Sequence, residues 1–147
     1  MTSFQATVYA NQAPAVEGDF ASANPRKTVL AGPGGLICGP DGVVVGRFAW
    51  LSYNYVDGDG AQAVVNNYAN VGGTPVGGFV HREQQGVIET YLQEYSMRVP
   101  AGFPITLFDS GDFWAKNTGA GQALPGMKAY ASLADGSISF AATGADR

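Results

Sequence analysis

One cysteine, one histidine and a charged fraction of 14% leave this chain short of most groups from which catalytic and metal sites are built. With Cys38 alone, no disulfide can form within the chain, and a thiol inside the apolar run Leu36-Ile37-Cys38 reads as a packed residue, not a reactive one. With His81 the only imidazole, a zinc site would have to take its remaining ligands from carboxylates, an uncommon set, so neither a metal nor another cofactor is expected. His81 lies between Val80 and Arg82 and reads as an ordinary surface or rim side chain of a strand. Eight scattered Lys and Arg residues against twelve Asp and Glu give a net charge of -4. That balance argues against nucleic acid and anionic membrane as partners, because both need clustered cations. No apolar stretch reaches the ~20 residues of a membrane-spanning helix. The opening residues MTSFQATVYANQ lack the basic start and continuous apolar stretch of a secretory signal, so the expectation is a soluble protein made without export.

The motifs that carry chemistry are missing as well. Ser110 in FDSGD has acids beside it but no G-x-S-x-G elbow, and turn chemistry accounts for Asp, Ser and Gly there. Gly32-Pro33-Gly34-Gly35 lacks the Gly-Lys-Ser/Thr of a phosphate loop and leads into a strand. Asp57-Gly58-Asp59-Gly60 begins like a calcium loop, but its glycine comes too early and Tyr68 stands where the closing glutamate belongs. Asp109 and Asp112 offer the two carboxylates that glycoside cleavage uses, with no second feature to support them.

What the chain does have is glycine, proline and short apolar runs. Twenty-one glycines and 8 prolines among 147 residues come with 46% hydrophobic residues, so a core exists and the excess Gly and Pro punctuate it as turns. A chain of this length folds as one domain that buries about two-thirds of its unfolded surface. The most informative stretch is residues 15–51. Asn24-Pro25 blocks helix, since proline pushes the residue before it toward extended geometry. Thr28-Val29-Leu30 then reads as a strand ended by the glycines at 32, 34 and 35, and Leu36-Ile37-Cys38 as a second. Gly39-Pro40-Asp41-Gly42 predicts a hairpin turn. Val43, Val44, Val45, Phe48, Trp50 and Leu51 predict one long central strand.

Further on, Phe79-Val80-His81-Arg82 and Ile105-Thr106-Leu107-Phe108 are short strands, the latter expected to pair with Phe113-Trp114-Ala115-Lys116 across Asp109-Ser110-Gly111-Asp112. A final hairpin is predicted with arms at residues 127–133 and 137–140 around Ala134-Asp135-Gly136. Helical spacing occurs only at residues 86–97, through Val87, Ile88, Tyr91, Leu92 and Tyr95, with an alternating strand as the competitor. About eight to ten short strands at 8–12-residue spacing predict an all-β, jelly-roll-like antiparallel β-barrel or sandwich with at most one short helix. The expected core includes Val43, Val45, Phe48, Trp50, Leu107 and Phe113.

Residues 1–27 differ from the rest. Phe4, Val8, Tyr9, Val16 and Phe20 are spaced too irregularly for an amphipathic helix, and the segment reads either as an extended N-terminal arm or as an edge strand of the same barrel. The domain division is therefore an arm of residues 1–27 and a β domain of residues 28–147. As an arm, it buries those five side chains on a partner, with Arg26 and Lys27 meeting acidic groups where it joins the domain, and it orders only when bound.

The order AVEGDFASANPRKTVLAGPGGL, DGVVVGRFAWL, GFVHRE, VPAGFPITLFDSGDFWAKN and a terminal KAYAS/DGSISF hairpin resembles the structural cement, or capsid decoration, proteins of tailed bacteriophages. The resemblance implies a jelly-roll-like domain with an N-terminal extension, made in the host cytoplasm and bound to the outside of the head. There it is expected to bridge neighbouring major capsid protein subunits as dimers or higher assemblies, without enzymatic activity. Two other classes fit the composition: a tail or fibre β domain that binds a host receptor or glycan, and a small β-barrel glycan-active enzyme.

Overall fold

The computed structural model describes residues 10, 11, 14–54, 62–69, 76–83 and 96–142. Ten strands are found there: β1 (Lys27–Thr28), β2 (Leu36–Cys38), β3 (Val43–Val44), β4 (Phe48–Asn54), β5 (Gln62–Asn66), β6 (Gly78–Val80), β7 (Arg98–Val99), β8 (Leu107–Ser110), β9 (Lys128–Ala131) and β10 (Ile138–Ala141). Six of them form one sheet in the order β1-β8-β6-β4-β5-β2, while β9 pairs with β10 and β3 with β7. The fold is all-β, as the punctuated apolar runs predict, and among the described residues it is an open, layered arrangement and not a closed barrel. The helical turn expected over residues 86–97 lies, apart from its last two residues, outside the described residues, as do the Asp57–Asp59 loop and Phe4, Val8 and Tyr9 of the leader.

The period-two alternation of strands gives the large sheet two different faces. Ala49 of β4, Ala63 and Val65 of β5, Val80 of β6 and Leu107 of β8 point to one side. There they pack with Leu36, Cys38, Val43, Val45 and Val99 into the aliphatic core, against which Val29, Leu51, Met97 and Ile105 also rest. The intervening residues point to the other side. Phe48 faces Phe79 in the β4–β6 register and Phe79 faces Phe108 in the β6–β8 register, so three phenylalanines line up across the sheet. Trp50 shares that second face and is 1% exposed. Of the other residues read as core, Val43, Val45 and Leu107 are fully buried, whereas Phe48 and Phe113 are half-buried and line a groove.

Several expected pairings are corrected. The Gly39–Gly42 turn exists, with Gly42 N donating to Gly39 O at 2.9 Å, and Gly42 has the positive φ of 68° that glycine adopts freely. It does not make a hairpin: β2 runs parallel to β5, and β3 pairs antiparallel with β7. The other edge of β2 is closed by residues 102–105, through Cys38 N to Phe103 O at 2.9 Å and Ile105 N to Leu36 O at 3.0 Å, which leaves β3 to find another partner. The sheet is thus mixed instead of purely antiparallel.

The long strand expected over residues 43–51 is broken. Gly46 takes a φ of 77°, and a Cβ there would come within 3.1 Å of Glu17 Cβ, so the chain turns from the β3–β7 ribbon into the large sheet. Asn67 spans the break. Its amide accepts from Val44 N at 2.5 Å and donates to Phe48 O at 3.0 Å, satisfying backbone groups that the interrupted ladder leaves open.

The terminal hairpin matches its sequence expectation. Ile138 faces Ala131 and Ala141 faces Lys128, and Gly136 in the turn has a φ of 68°. The hairpin is fastened to β4 by Phe48 N to Gly136 O at 3.0 Å and by the Arg47–Asp135 ion pair at 3.0 Å. A side chain at Gly136 would meet Phe48 O at 2.1 Å, so this close approach requires glycine. Cys38 is buried in the aliphatic core, and desolvation pushes its thiol up to about 12, far from the thiolate that reacts.

Because Trp50 is enclosed on the central strand, Trp50→Ala is expected to cost about 3 to 5 kcal/mol. Urea unfolding measures this, and an unchanged midpoint would show that the indole contributes no buried contact.

Candidate functional site

The aromatic face of the sheet is completed by two segments from outside it. The leader supplies Phe20, and the loop after β8 supplies Phe113, which face each other in an isolated antiparallel bridge. Phe113 lies 4.7 Å from Phe79 and 5.3 Å from Phe108, centroid to centroid. Phe20 meets Phe108 edge-on at 5.6 Å and stacks on His81 at 3.8 Å with 19° between the planes. The Arg26 guanidinium carbon lies 3.7 Å from the Phe20 centroid. Two groups that close to one ring centroid must occupy opposite faces, so Phe20 is sandwiched between an imidazole and a cation.

Backbone bonds reinforce these ring contacts. Gly18 N donates to Trp114 O at 2.7 Å and Trp114 N donates to Asp19 O at 2.9 Å, so both backbone groups of Trp114 bond to the leader. Ala21 N donates to Asp112 O at 2.9 Å, and Arg82 N to Gly18 O at 3.0 Å. His81 Nδ1 is 2.8 Å from the same Gly18 O. The strand read over residues 113–116 therefore pairs with the leader and not with residues 105–108: β8 already has β1 on one side and β6 on the other, which leaves no free edge.

The two carboxylates of the FDSGD turn are committed to the leader. Asp112 Oδ2 accepts from Ser22 Oγ at 2.6 Å and from Asn24 Nδ2 at 2.7 Å, and these bonds hold its carboxyl below the usual range. Asp109 pairs with Lys27 at 2.8 Å, and this bond holds the ammonium above its ordinary value. Among the described residues, no group of His, Cys, Asp and Glu converges on a metal position.

Of the leader residues read as partner contacts, Phe20, Arg26 and Lys27 make the internal contacts just given. Val16 is 42% exposed and lies beside Trp114, also 42% exposed. Ala15, Val16, Glu17, Trp114, Ala115 and Lys116 line one shallow hollow. By sequence, Trp114 reads only as a strand residue. Its role is not legible locally, because the partner that turns it outward lies almost 100 residues earlier in the chain.

A second concavity, of about 260 Å³, lies on the aromatic face between the sheet, the loop after β8 and the terminal hairpin. Its wall is mostly phenylalanine and alanine, with Asp109, Ser110 and Gly111 at one lip. Such a wall suits apolar contact, and the acid at its lip, Asp109, is paired with Lys27.

A family model described as XM1 gp53 minor capsid protein matches residues 4–147. No curated protein and no solved structure matches the chain.

Because the Asp112 carboxyl titrates below its unfolded value of about 4, its contribution to fastening the leader is present above that pH and is lost as pH falls through the depressed folded value. Hydrogen exchange at the Ala21 amide is therefore expected to quicken in acid, beyond the intrinsic pH trend, and Asp112→Ala is expected to reproduce the effect at pH 7. Equal protection of Ala21 in the variant and the parent at pH 7 would remove Asp112 from this role.

Proposed function

Since the chain belongs to the XM1 gp53 minor capsid protein family and is thereby a structural protein of the phage virion, we propose that it acts as a cement protein on the outer surface of the head, bridging neighbouring major capsid protein subunits. The observation that carries this reading is the exposed Val16–Trp114 pair, held on a rigid mount. Large apolar side chains in the open are informative when they lie together, and tryptophan is enriched among residues that dominate binding energy. The Gly18–Trp114 and Trp114–Asp19 bonds hold the backbone of Trp114, so little main-chain ordering entropy opposes its docking.

Bridging follows from having two contacts. Residues 1–13, with Phe4, Val8 and Tyr9, precede the hollow and supply a second attachment on an adjacent subunit. Two linked weak contacts give an avidity that neither has alone. Binding to the assembled shell and not to free subunits then stabilises the head by mass action. Copies of the chain paired about a two-fold axis extend the bridge, an isologous dimer being the simplest such assembly.

Co-sedimentation with purified undecorated heads tests the proposal. Trp114→Ala is expected to weaken decoration by about 30-fold, the equivalent of about 2 kcal/mol for an interface anchor, with the fold unchanged by circular dichroism. Deleting residues 1–13 is expected to lower occupancy further. If both variants decorate heads at the parent concentration, the leader side of the molecule is not the contact surface. Retention on a glycan array with no affinity for heads would favour the tail or fibre reading.

A further inference from the structure

We propose that Glu17 and Lys116 make the Val16–Trp114 hollow specific for a segment of the major capsid protein that carries an apolar side chain between a basic and an acidic one, the base facing Glu17 and the acid facing Lys116. This inference rests on the capsid-bridging reading and supplies the chemistry of the surface that the hollow meets.

The hollow has an apolar part and a charged part. Val16 and Trp114 supply the first, and Glu17 and Lys116 line the same depression. Both charged residues also line a smaller cavity of about 80 Å³ with Arg47, Thr118 and Ser137, and Val16 and Trp114 do not. The charges therefore lie along the margin of the hollow that adjoins the terminal hairpin, which leaves the rest of it to the indole and the valine. They do not cancel in an internal ion pair. The pairs found among the described residues are Lys27–Asp109, Arg47–Asp135 and Arg82–Asp19, so Glu17 and Lys116 are not joined to each other.

Local structure holds each charge on its own mount. The carbon stem of Glu17 packs over the turn at Gly46, where an added Cβ would lie 3.1 Å from Glu17 Cβ and 3.2 Å from its Cγ. The backbone beside Lys116 is tied to the hairpin by the Asn117–Ile138 bridge and by Thr118 N donating to Ile138 O at 2.8 Å. Carboxylate and ammonium thus belong to different segments, and the hollow has a fixed polarity.

That polarity selects the partner. An indole and a valine accept any apolar side chain, so alone they give affinity with little discrimination, whereas flanking charges set the register and reject like-charged surfaces. A segment whose charges stand in the complementary order gains at both ends. One carrying a single sign gains at one end and loses at the other. Glu17 is half-buried and Lys116 exposed, so the pair acts on encounter and selection more than on the depth of binding, and salt screens it.

The test is the rate of association with purified undecorated heads, for the parent, Glu17→Lys, Lys116→Glu and the double reversal, at about 0.02 M and about 0.5 M salt. The single reversals move the net charge of -4 in opposite directions, and the double reversal restores it. Each single reversal is expected to slow association about tenfold at the lower salt, the double reversal to slow it further, and the differences to shrink at the higher salt. Urea midpoints are expected to stay at the parent value. Where a reversal lowers the midpoint, Glu17→Gln and Lys116→Gln take its place, each expected to slow association about threefold. Opposite effects of the two single reversals would mean that heads sense net charge alone and would overturn the proposal. Parent-like association of the double reversal would also overturn it, giving the hollow to a second copy in which Glu17 of one chain faces Lys116 of the other. Parent rates in every charge variant, with Trp114→Ala still decorating weakly, would overturn the charge specificity and leave the capsid reading standing. Heads left undecorated by the parent protein would overturn both.

Discussion

Phe20 has the His81 ring on one face at 3.8 Å and the Arg26 guanidinium on the other at 3.7 Å, while its edge meets the aromatic row of the sheet. Much else depends on that seat. It brings the leader across the end of β6 and β8, where Gly18 and Asp19 exchange bonds with Trp114 and the turn acids find Ser22, Asn24 and Lys27. Removing the ring would leave a set of exposed polar bonds, each competing with water and worth little alone. The apolar ring supplies what those bonds lack, an area taken out of water.

The large sheet is apolar on both faces, and each face has its own cover. The aliphatic face is closed by the β3–β7 ribbon, which becomes available only because Gly46 turns the chain out of the sheet. The aromatic face is closed by the leader, the loop after β8 and the terminal hairpin, and the closure is incomplete. The groove that remains and the Val16–Trp114 patch lie on either side of Ala115. A molecule with only 14% charged residues shows its apolar surface there.

A structural protein of a shell needs contact area, repetition and a fixed geometry more than it needs reactive groups. The chemistry of this chain agrees with that requirement. Its cysteine is buried with a thiol pushed up to about 12, its histidine stacks on a ring, and the acids of its FDSGD turn hold the leader. The two acids bond to side chains of the leader, Asp112 to Ser22 and Asn24 and Asp109 to Lys27. Trp114, by contrast, is turned outward on a mount that its own backbone bonds make stiff.

The sequence by itself determined the all-β class, the turns at Gly42 and Gly136, the terminal hairpin and the packed state of Cys38. These features depend on residues within a few positions of one another: a glycine free to adopt positive φ, a β-branched run, two arms that close across a short turn. Only the tertiary structure decided which strands are neighbours. The parallel β2–β5 pair, the break at Gly46 and the diversion of Phe113 to the leader follow from which edges were already occupied, and local propensity carries no information about that. The same reason hid the leader's fastening. Ser22 and Asp112 are 90 residues apart, and the Asp-Ser-Gly-Asp run that reads as a turn gives no sign that its carboxylates will be taken by side chains from the other end of the chain.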